Sequence, residues 1–295
     1  MTNDLIVTRE IAPLPSRRDD AHKGEVGRIV IIGGTCGPDA AMVGAPALAA
    51  NGALRAGAGL VQLLVPAEIR TSTAVLAPCA TTRTLPSDSA SILAAIADFS
   101  ADVVAIGPGL GSTLAGTAIL EVLTQFSGPA VVDADALNRL AEAPTFALPR
   151  AHRIVMTPHP GEARRLLSAR GRPCPVDETA PARRQAACDL VAAYGCTVVL
   201  KGRHTVVTNG DRLFVNETGN SGMATGGTGD VLTGVIAGLI GQKMDPLEAS
   251  ILGVYLHGLA GDYAAEELGR WSMTAIDLLD YLPEAFSEHE ATQAE

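Results

Sequence analysis

Short runs of apolar residues alternate along the chain with longer alanine-rich stretches. The apolar runs predict strands at Arg28–Ile32, Leu60–Val65, Val103–Ile106, Ala130–Val132, Ile154–Met156 and Val198–Leu200. The alanine-rich stretches between several of them predict helices, among them Pro46–Arg55 and Ala182–Ala193. These strands lack a regular alternation of apolar and polar residues, which is typical of strands that are buried on both faces. The pattern therefore predicts a mostly parallel sheet with helices on both sides.

One segment departs from this alternation. In TVVTNGDRLFV the pair Asn209-Gly210 separates two strand-like runs, which favours a tight hairpin. The remaining pattern predicts helices, then a solvated tail from Ser287; the helices are Asp230–Ile240, Pro246–Ala264 and Ala275–Leu279. The most loop-like interior stretch is Arg170–Pro181. Because no linker of domain-dividing composition interrupts the chain, we expect residues 1–295 to form one α/β domain with a short flexible N-terminal segment.

Composition and charge narrow the classes of function. The net charge of -10 argues against binding to nucleic acids or anionic membranes. The 5 cysteines form no CxxC pair, so we expect reduced thiols in a reducing compartment. The N-terminal sequence MTNDLIVTRE lacks the features of a secretory signal, and no uninterrupted apolar run reaches membrane-spanning length. These features together predict a cytoplasmic protein.

Glycine-rich or polar corners follow nearly every predicted strand. The corners are GGT from Gly33, GPGLG from Gly107, DAD from Asp133, TPHPGE from Thr157 and KGRHT from Lys201. In an open parallel sheet the carboxyl ends of the strands lie along one edge, which is where ligands bind. The convergence of these corners predicts a ligand site at that edge.

The stretch GNSGMATGGTGDVLTG contains a candidate phosphate site. Gly226, Gly227, Thr228 and Gly229 can present backbone N–H groups to an anion, and a helix that starts there adds its positive dipole end. A carboxylate repels a phosphate, so Asp230 is better explained as a base that accepts a proton from an attacking hydroxyl. The alternative is that Asp230 only caps the helix. The stretch lacks the GK[ST] ending of a Walker A loop.

Taken together, the motifs resemble those of the ADP-dependent NAD(P)H-hydrate dehydratases, within the ribokinase-like superfamily. The resemblance extends from His22 to about Phe286 and rests on HKGEVGRIVIIGG, GAPALAANGALRAGAGLV, GPGLG, VVDADALN, TPHPGE, LKGRHTVV, GNSGMATGGTGDVLTGVIAGL and HGLAGD. GTGD alone indicates only the superfamily, whereas TPHPGE together with GMATGGTGDVL and HGLAGD is far more specific. The resemblance implies a three-layer α/β/α fold with a mostly parallel central sheet.

The resemblance also implies an activity and its site. A hydro-lyase of this family converts (6S)-NADHX and (6S)-NADPHX to NADH and NADPH, while ADP becomes AMP and phosphate. The C6 hydroxyl is phosphorylated and then expelled, with Asp230 as the base. The residues implied to contact the hydrated dinucleotide are Ala45, Gly109, His159 and Asp230. Those implied to contact the adenine nucleotide are Lys201, Gly202, Arg203, His204, Thr205 and Gly229.

Further expectations follow from the same resemblance. It implies Mg²⁺ without naming its protein ligands, a homotetramer, and functional pairing with a separate epimerase, whose domain we expect this chain to lack. Two positions depart from the family pattern. Ser221 stands where proline is expected, and Met42 stands where some relatives carry an aromatic residue. Neither departure removes a proposed catalytic group.

Several candidate residues have a structural alternative. His159 lies between two prolines and could simply fill a rigid turn. Glu162 could hold Mg²⁺ through water or could be an acid favoured in the first turn of a helix. We expect His257 to be a packed, hydrogen-bonded histidine and Asp262 to cap a neighbouring loop. Weaker candidates for orienting ligand groups are Asp133 and Asn138.

Two other functions remain open from the residues. The chain could be a ribokinase-like kinase of a small vitamin-type alcohol, which would leave a stable phosphorylated product. It could also be a non-catalytic nucleotide sensor, for which Asp230→Asn would be harmless. The acid at the end of the glycine stretch argues against the sensor.

Overall fold

The computed structural model describes residues 5–144, 146–148, 150–172 and 179–293. The strands in these ranges are β1 (Ile6–Thr8), β2 (Arg28–Ile32), β3 (Thr35–Cys36), β4 (Ala41–Met42), β5 (Leu60–Val65), β6 (Thr81–Thr84), β7 (Val103–Ile106), β8 (Ala130–Val132), β9 (Ile154–Met156), β10 (Thr197–Leu200), β11 (Val206–Thr208) and β12 (Arg212–Val215). The α-helices are α1 (Gly44–Arg55), α2 (Arg70–Leu76), α3 (Ser89–Phe99), α4 (Gly116–Gln125), α5 (Ala134–Glu142), α6 (Pro160–Ala169), α7 (Ala180–Tyr194), α8 (Thr228–Gly241), α9 (Pro246–Leu268) and α10 (Ala275–Thr292).

Ten of the strands form one sheet in the order β1-β12-β11-β10-β9-β8-β7-β2-β5-β6. Strand β11 runs antiparallel to both of its neighbours, and the other pairs in this sheet are parallel. The predicted hairpin is β11–β12, where the side-chain carbonyl of Asn209 accepts a hydrogen bond from the backbone N–H of Arg212 at 2.9 Å. The mostly parallel sheet predicted from the apolar runs is therefore confirmed.

Both faces of the sheet are covered by helices, because alternate strand residues point to opposite sides. In β2, Ile29 and Ile31 enter a core with α1, α8, α9 and α10, whereas Val30 and Ile32 enter a core with α3 to α7. All four of these side chains have no exposed surface. The fold is the expected three-layer α/β/α arrangement, and strands buried on both sides need no polar alternation.

Helices α1 and α8 pack at very short range in one of these layers. A Cβ atom added to Gly234 would lie 1.9 Å from the carbonyl oxygen of Ala49, and one added to Gly52 would lie 2.5 Å from that of Val231. A side chain of any size at either glycine would push the helices apart. The glycines of GVIAGLIG thus belong to helix packing.

No described helix is long and apolar enough to cross a bilayer.

The structure differs from several predicted bounds: α1 begins at Gly44, α7 covers Ala180–Tyr194 and takes in the end of the predicted loop, and α9 continues to Leu268. Helix α10 continues to Thr292, so the prediction of a tail from Ser287 is wrong for Ser287–Thr292, because buried His289 packs this last part of the helix. The N-terminal segment was expected to be flexible, but Ile6–Thr8 pairs with the otherwise open edge of β12. Helix α8 starts at Thr228, not at Asp230. Part of the predicted loop, residues 173–178, lies outside the described residues.

Candidate active site

The predicted strand-end corners meet at one edge of the sheet. Strands β7, β8, β9 and β10 are consecutive neighbours, and their carboxyl ends are followed by the segments that carry Gly109, Asp133, His159 and Lys201. The first turn of α8 brings Asp230 to the same edge, where its carboxylate interacts electrostatically with Asp133 and Lys201. Residues far apart in sequence therefore form one cluster.

Asp133 lies at the centre of this cluster. One carboxylate oxygen, Oδ1, is 2.5 Å from Nζ of Lys201, and the other accepts a hydrogen bond from Oγ1 of Thr233 at 2.7 Å. The residue is only 1% exposed. Burial opposes the charge on Lys201, but attraction by Asp133 and Glu162 outweighs it and raises the lysine pKa. The lysine is therefore an ammonium held between β10 and α8.

Asp230 does not occupy the N-cap position of α8. The N-cap of α8 is Gly227, with φ of 97°, and Asp230 is the third residue of the helix. Burial, followed by repulsion from Asp133, raises the pKa of Asp230 to about 7, although Lys201 opposes the shift. Near neutral pH this carboxyl group is therefore balanced between its two protonation states, as a base that must accept a proton requires.

The start of α8 adjoins this cluster through Gly229. Within the described residues no side chain caps the first turn of this helix. A Cβ added to Gly226 would meet no atom within 4 Å, and one added to Gly229 would lie 3.3 Å from Nζ of Lys201. Of the predicted anion-binding residues, Gly229 lies next to the lysine, and open space borders Gly226.

His159 and Glu162 form a capping box at the start of α6. Nδ1 of His159 accepts a hydrogen bond from the N–H of Gly161 at 2.9 Å, and Oε2 of Glu162 accepts one from the N–H of His159 at 2.8 Å. Burial raises the pKa of Glu162 and, together with the charge of Lys201, lowers that of His159. The structural role expected as an alternative for His159 is present, and half of its ring stays exposed.

Two further candidate substrate contacts adjoin each other. Gly109 follows β7 with φ of 62°, and a Cβ added to it would lie 3.0 Å from the Cβ atoms of both Ala45 and Met42. Only glycine leaves this approach free. Ala45 is buried in the first turn of α1, whereas Met42 is 50% exposed. The corner therefore brings two predicted substrate residues together and places Met42 next to Gly109.

The KGRHT turn connects β10 with β11. Oγ1 of Thr205 donates to the carbonyl of Gly202 at 2.9 Å, while the side chains of Arg203 and His204 are exposed. No ion pair between described residues connects Arg203 or His204 with the Asp133–Lys201 pair. Lys201 is thus the member of this set that the structure places in the charged cluster.

The structure adds two residues to the cluster and gives one weaker candidate a neighbour. Oδ1 of Asn138 accepts a hydrogen bond from Arg165 at 2.8 Å, and its role towards a ligand stays a prediction. Thr233 was missed, because a threonine inside an apolar helix carries no distinctive signal. Asp135 was missed as well, although it affects the pKa of Asp230 and accepts from the N–H of Gly111 at 2.7 Å.

The HGLAGD motif lies on α9 and supports the glycine-rich stretch. Nε2 of His257 is 2.8 Å from the carbonyl oxygen of Thr228, and Oδ2 of Asp262 accepts a hydrogen bond from the N–H of Gly219 at 2.8 Å. The predictions of a packed, hydrogen-bonded His257 and a loop-capping Asp262 are both confirmed.

The described residues do not form a direct cage for a metal ion. No group of three or more His, Cys, Asp or Glu side chains among them is arranged to hold one. The oxygens of Asp133 are engaged by Lys201 and Thr233, and Oε2 of Glu162 is engaged by a backbone N–H. We therefore assign no protein ligand to magnesium.

A family model described as NAD(P)H-hydrate dehydratase matches residues 29–284. The chain belongs to this family. It is 40% identical, over 86% of its length and 82% of the relative, to the ADP-dependent (S)-NAD(P)H-hydrate dehydratase of Neisseria meningitidis serogroup B. It is 43% identical over 92% of its length to the Bifunctional NAD(P)H-hydrate repair enzyme Nnr of Moorella thermoacetica. The chain spans 51% of that longer relative.

Two solved structures show the same fold, each with a TM-score of 0.78 and 30% sequence identity over 94% of this chain. One is a ribokinase-like superfamily protein from Enterococcus faecalis, of which 92% is covered. The other is the ADP/ATP-dependent NAD(P)H-hydrate dehydratase from Bacillus subtilis, co-crystallised with ATP and Mg²⁺, of which 95% is covered. The expected ribokinase-like fold of this dehydratase family member is confirmed.

Proposed function

We propose that this chain catalyses the ADP-dependent dehydration of (6S)-hydrated NADH and NADPH, with release of AMP and phosphate. Family membership supports the reaction, and one observation carries the site: partly buried Asp230, whose pKa burial raises to about 7, lies beside Lys201. A base, a cation and converging N–H groups are what transfer of a phosphoryl group to a hydroxyl requires.

The first step of the proposed reaction phosphorylates the substrate. The C6 hydroxyl gives its proton to Asp230 while its oxygen attacks the β-phosphorus of ADP, and AMP leaves. The N–H groups of Gly226–Gly229 and the ammonium of Lys201 stabilise the negative charge on the moving phosphoryl group. The proximity of Gly229 to Nζ of Lys201 supports this placement.

The second step expels the phosphate. The C6–O bond breaks with help from the lone pair of the ring nitrogen, and loss of a proton from C5 restores the ring double bond. Hydroxide would be a poor leaving group, whereas phosphate is a good one. Phosphorylation therefore serves elimination, which distinguishes this reaction from that of a kinase with a stable product.

The two ligands divide the site in this proposal. Ala45, Gly109 and His159 hold the hydrated dinucleotide next to Asp230; contact between the Ala45 and Gly109 segments supports this grouping. The residues that hold the adenine nucleotide are Lys201, Gly202, Arg203, His204, Thr205 and Gly229. This grouping is supported by the position of Gly229, where an added Cβ would lie 3.3 Å from Nζ of Lys201.

Magnesium is part of the proposal as an ion carried by the nucleotide. Mg²⁺ commonly keeps several waters and binds phosphate oxygens, so it does not need a cage of protein ligands. When bound, the ion neutralises charge on the phosphates. The same arrangement is compatible with the absence of a three-ligand cluster among the described residues.

We also propose that the chain forms a homo-oligomer, with a tetramer as the expected state. This expectation rests on the family resemblance. Light scattering coupled to gel filtration measures the state directly. Pairing with a separate epimerase and a cytoplasmic location stay predictions.

Product analysis tests the proposed reaction. The purified chain is mixed with hydrated NADH, ADP and Mg²⁺, and we expect reduced-nicotinamide absorbance to return as AMP and phosphate form in equal amounts. Omission of ADP should abolish both signals. A stable phosphorylated product would instead indicate a small-alcohol kinase, and nucleotide binding without any turnover would indicate a sensor.

A further inference from the structure

Helix α9 holds the segment that leads into α8, residues 216–227, which we call the glycine loop. Oγ1 of Thr218 donates a hydrogen bond to the carbonyl of Tyr255 at 2.9 Å, and Nδ2 of Asn220 donates to the carbonyl of Gly261 at 2.8 Å. Together with the Gly219–Asp262 bond, these contacts follow one side of α9. The glycine loop is therefore built onto this helix.

The glycines of HGLAGD allow this close contact. A Cβ added to Gly258 would lie 2.2 Å from Oγ1 of Thr218, and one added to Gly261 would lie 2.4 Å from the sulfur of Met223. Neither distance is compatible with a side chain. The motif therefore works as a platform whose small residues face the glycine loop.

His257 is the residue of this motif that reaches α8 itself. Its Nε2 atom is 2.8 Å from the carbonyl oxygen of Thr228, the first residue of the helix, and the histidine is 8% exposed. A carbonyl oxygen only accepts hydrogen bonds, so Nε2 carries the proton. Burial lowers the pKa of His257 to about 4, which keeps the ring neutral and this donor unchanged around neutral pH.

We propose that His257 is a positioning residue that fixes the first peptide group of α8. Thr228 is followed directly by Gly229, which lies against Lys201, and by Asp230. A rotation of this first turn would move the N–H groups and the base together, away from the lysine. The role in turnover rests on the proposed function, whereas the hold on the helix start does not.

Two variants separate the hydrogen bond from the volume of the ring. His257→Gln keeps an N–H donor at a similar reach, whereas His257→Met fills the space without a donor. The chain offers a matched control in His289, which is also 8% exposed and has Nε2 3.0 Å from the carbonyl oxygen of Ala12. His289→Met removes this contact on α10, together with the contact between Nε2 and Gln293, and leaves the His257–Thr228 bond in place.

We expect His257→Met to lower kcat by roughly tenfold. Without the bond to Thr228 the first turn of α8 is less well placed, and losing the contribution of one hydrogen bond in the transition state slows a reaction by about this factor. His257→Gln should recover most of this loss. His257→Met and His289→Met should lose similar amounts of thermal stability, while the kcat of His289→Met stays unchanged. A purely structural role for His257 predicts equal stability losses and unchanged kcat in both methionine variants, which would overturn the proposal.

Hydrogen exchange tests the positioning role of His257 without measuring turnover. We expect faster amide exchange in peptides that cover residues 226–232 of His257→Met, with His257→Gln and His289→Met close to the original protein. Unchanged exchange there would overturn the positioning role even if the dehydration proposal holds. Conversely, a chain without dehydratase activity but with the expected exchange pattern would refute the proposed function alone.

Discussion

Helix α8 carries glycine at its start and again along its middle, and the two sets have different surroundings. Gly226, just before the helix, borders open space, whereas a Cβ on Gly234 would lie 1.9 Å from the backbone of α1. The first set contains the residues that we propose bind the phosphoryl group. The second set lets α1 and α8 approach each other closely. Glycine thus packs α8 against α1 in the middle of the helix, and we propose that it binds the phosphoryl group at the start.

The two parts of α8 should fail in different ways when changed. Substitutions at the open start should affect turnover, and those in the packed middle should affect stability. Four changes examine this contrast.

Asp230→Asn should have the largest effect and should act on turnover. An amide cannot accept the hydroxyl proton, so kcat should fall by roughly 10²–10⁴-fold. The AMP-release assay measures the loss, while calorimetric titration should show that ADP still binds. Turnover close to that of the original protein would refute the assignment of Asp230 as the base.

The turnover of Asp230→Asn should fall, whereas its stability should rise. The folded-state pKa of Asp230, about 7, exceeds the ordinary value of 3.8, so the native protein loses stability as pH rises between these values. Asp230→Asn should therefore gain free energy of unfolding above pH 7 and differ little at pH values below 3.8. Urea unfolding at the two pH extremes measures the difference.

Gly234→Ala should be next in size and should act on stability. Its new methyl group would clash with the carbonyl of Ala49, so we expect a loss of about 1–3 kcal/mol in the free energy of unfolding. Urea denaturation measures the loss, and kcat per folded molecule should remain near the original value. A fully stable variant would show that α1 and α8 are less tightly packed than described.

Gly226→Ala should show the reverse behaviour. Its methyl group meets no atom within 4 Å, so stability should stay within about 0.5 kcal/mol of the original. In the proposed reaction the N–H group of Gly226 binds the moving phosphoryl group, so an added methyl group should misplace it and lower kcat/KM for ADP by roughly tenfold. Unchanged kinetics would place the nucleotide elsewhere.

The smallest expected effect is a shift in the pH dependence of kcat/KM. Asp230 must be ionised to accept a proton, so kcat/KM should rise with pH through about 7. Asp135→Asn removes one charge that raises this pKa but retains an oxygen for the N–H of Gly111. The rise should therefore shift slightly to lower pH, which a pH–rate profile measures. A shift to higher pH would contradict this electrostatic account.

Local sequence patterns were sufficient for much of the fold. Arg28–Ile32, Leu60–Val65 and Val103–Ile106 are strands within the predicted bounds, because a short apolar run between turn residues has few other stable structures. The end of α10 was missed because its exposed side is highly polar. Only packing revealed that His289 and Ala285 are buried there.

The site shows a similar division. GGTGD and KGRHT predicted a base, N–H donors and a lysine, and the structure places Asp230 and Lys201 in one charged cluster. The contact of Asp133 with Thr233 joins residues 100 positions apart, so no local pattern could predict it.

The sequence by itself determined the alternation of elements, the sheet edge that carries the site and the family to which the chain belongs. These follow from local features, namely apolar runs, glycine corners and ordered motifs. Only the tertiary structure decided that Asp230 lies inside the first turn of α8, that its pKa is near 7 and that His257 contacts the start of this helix. Burial and charge depend on which distant segments pack together, and that packing is a property of the whole fold.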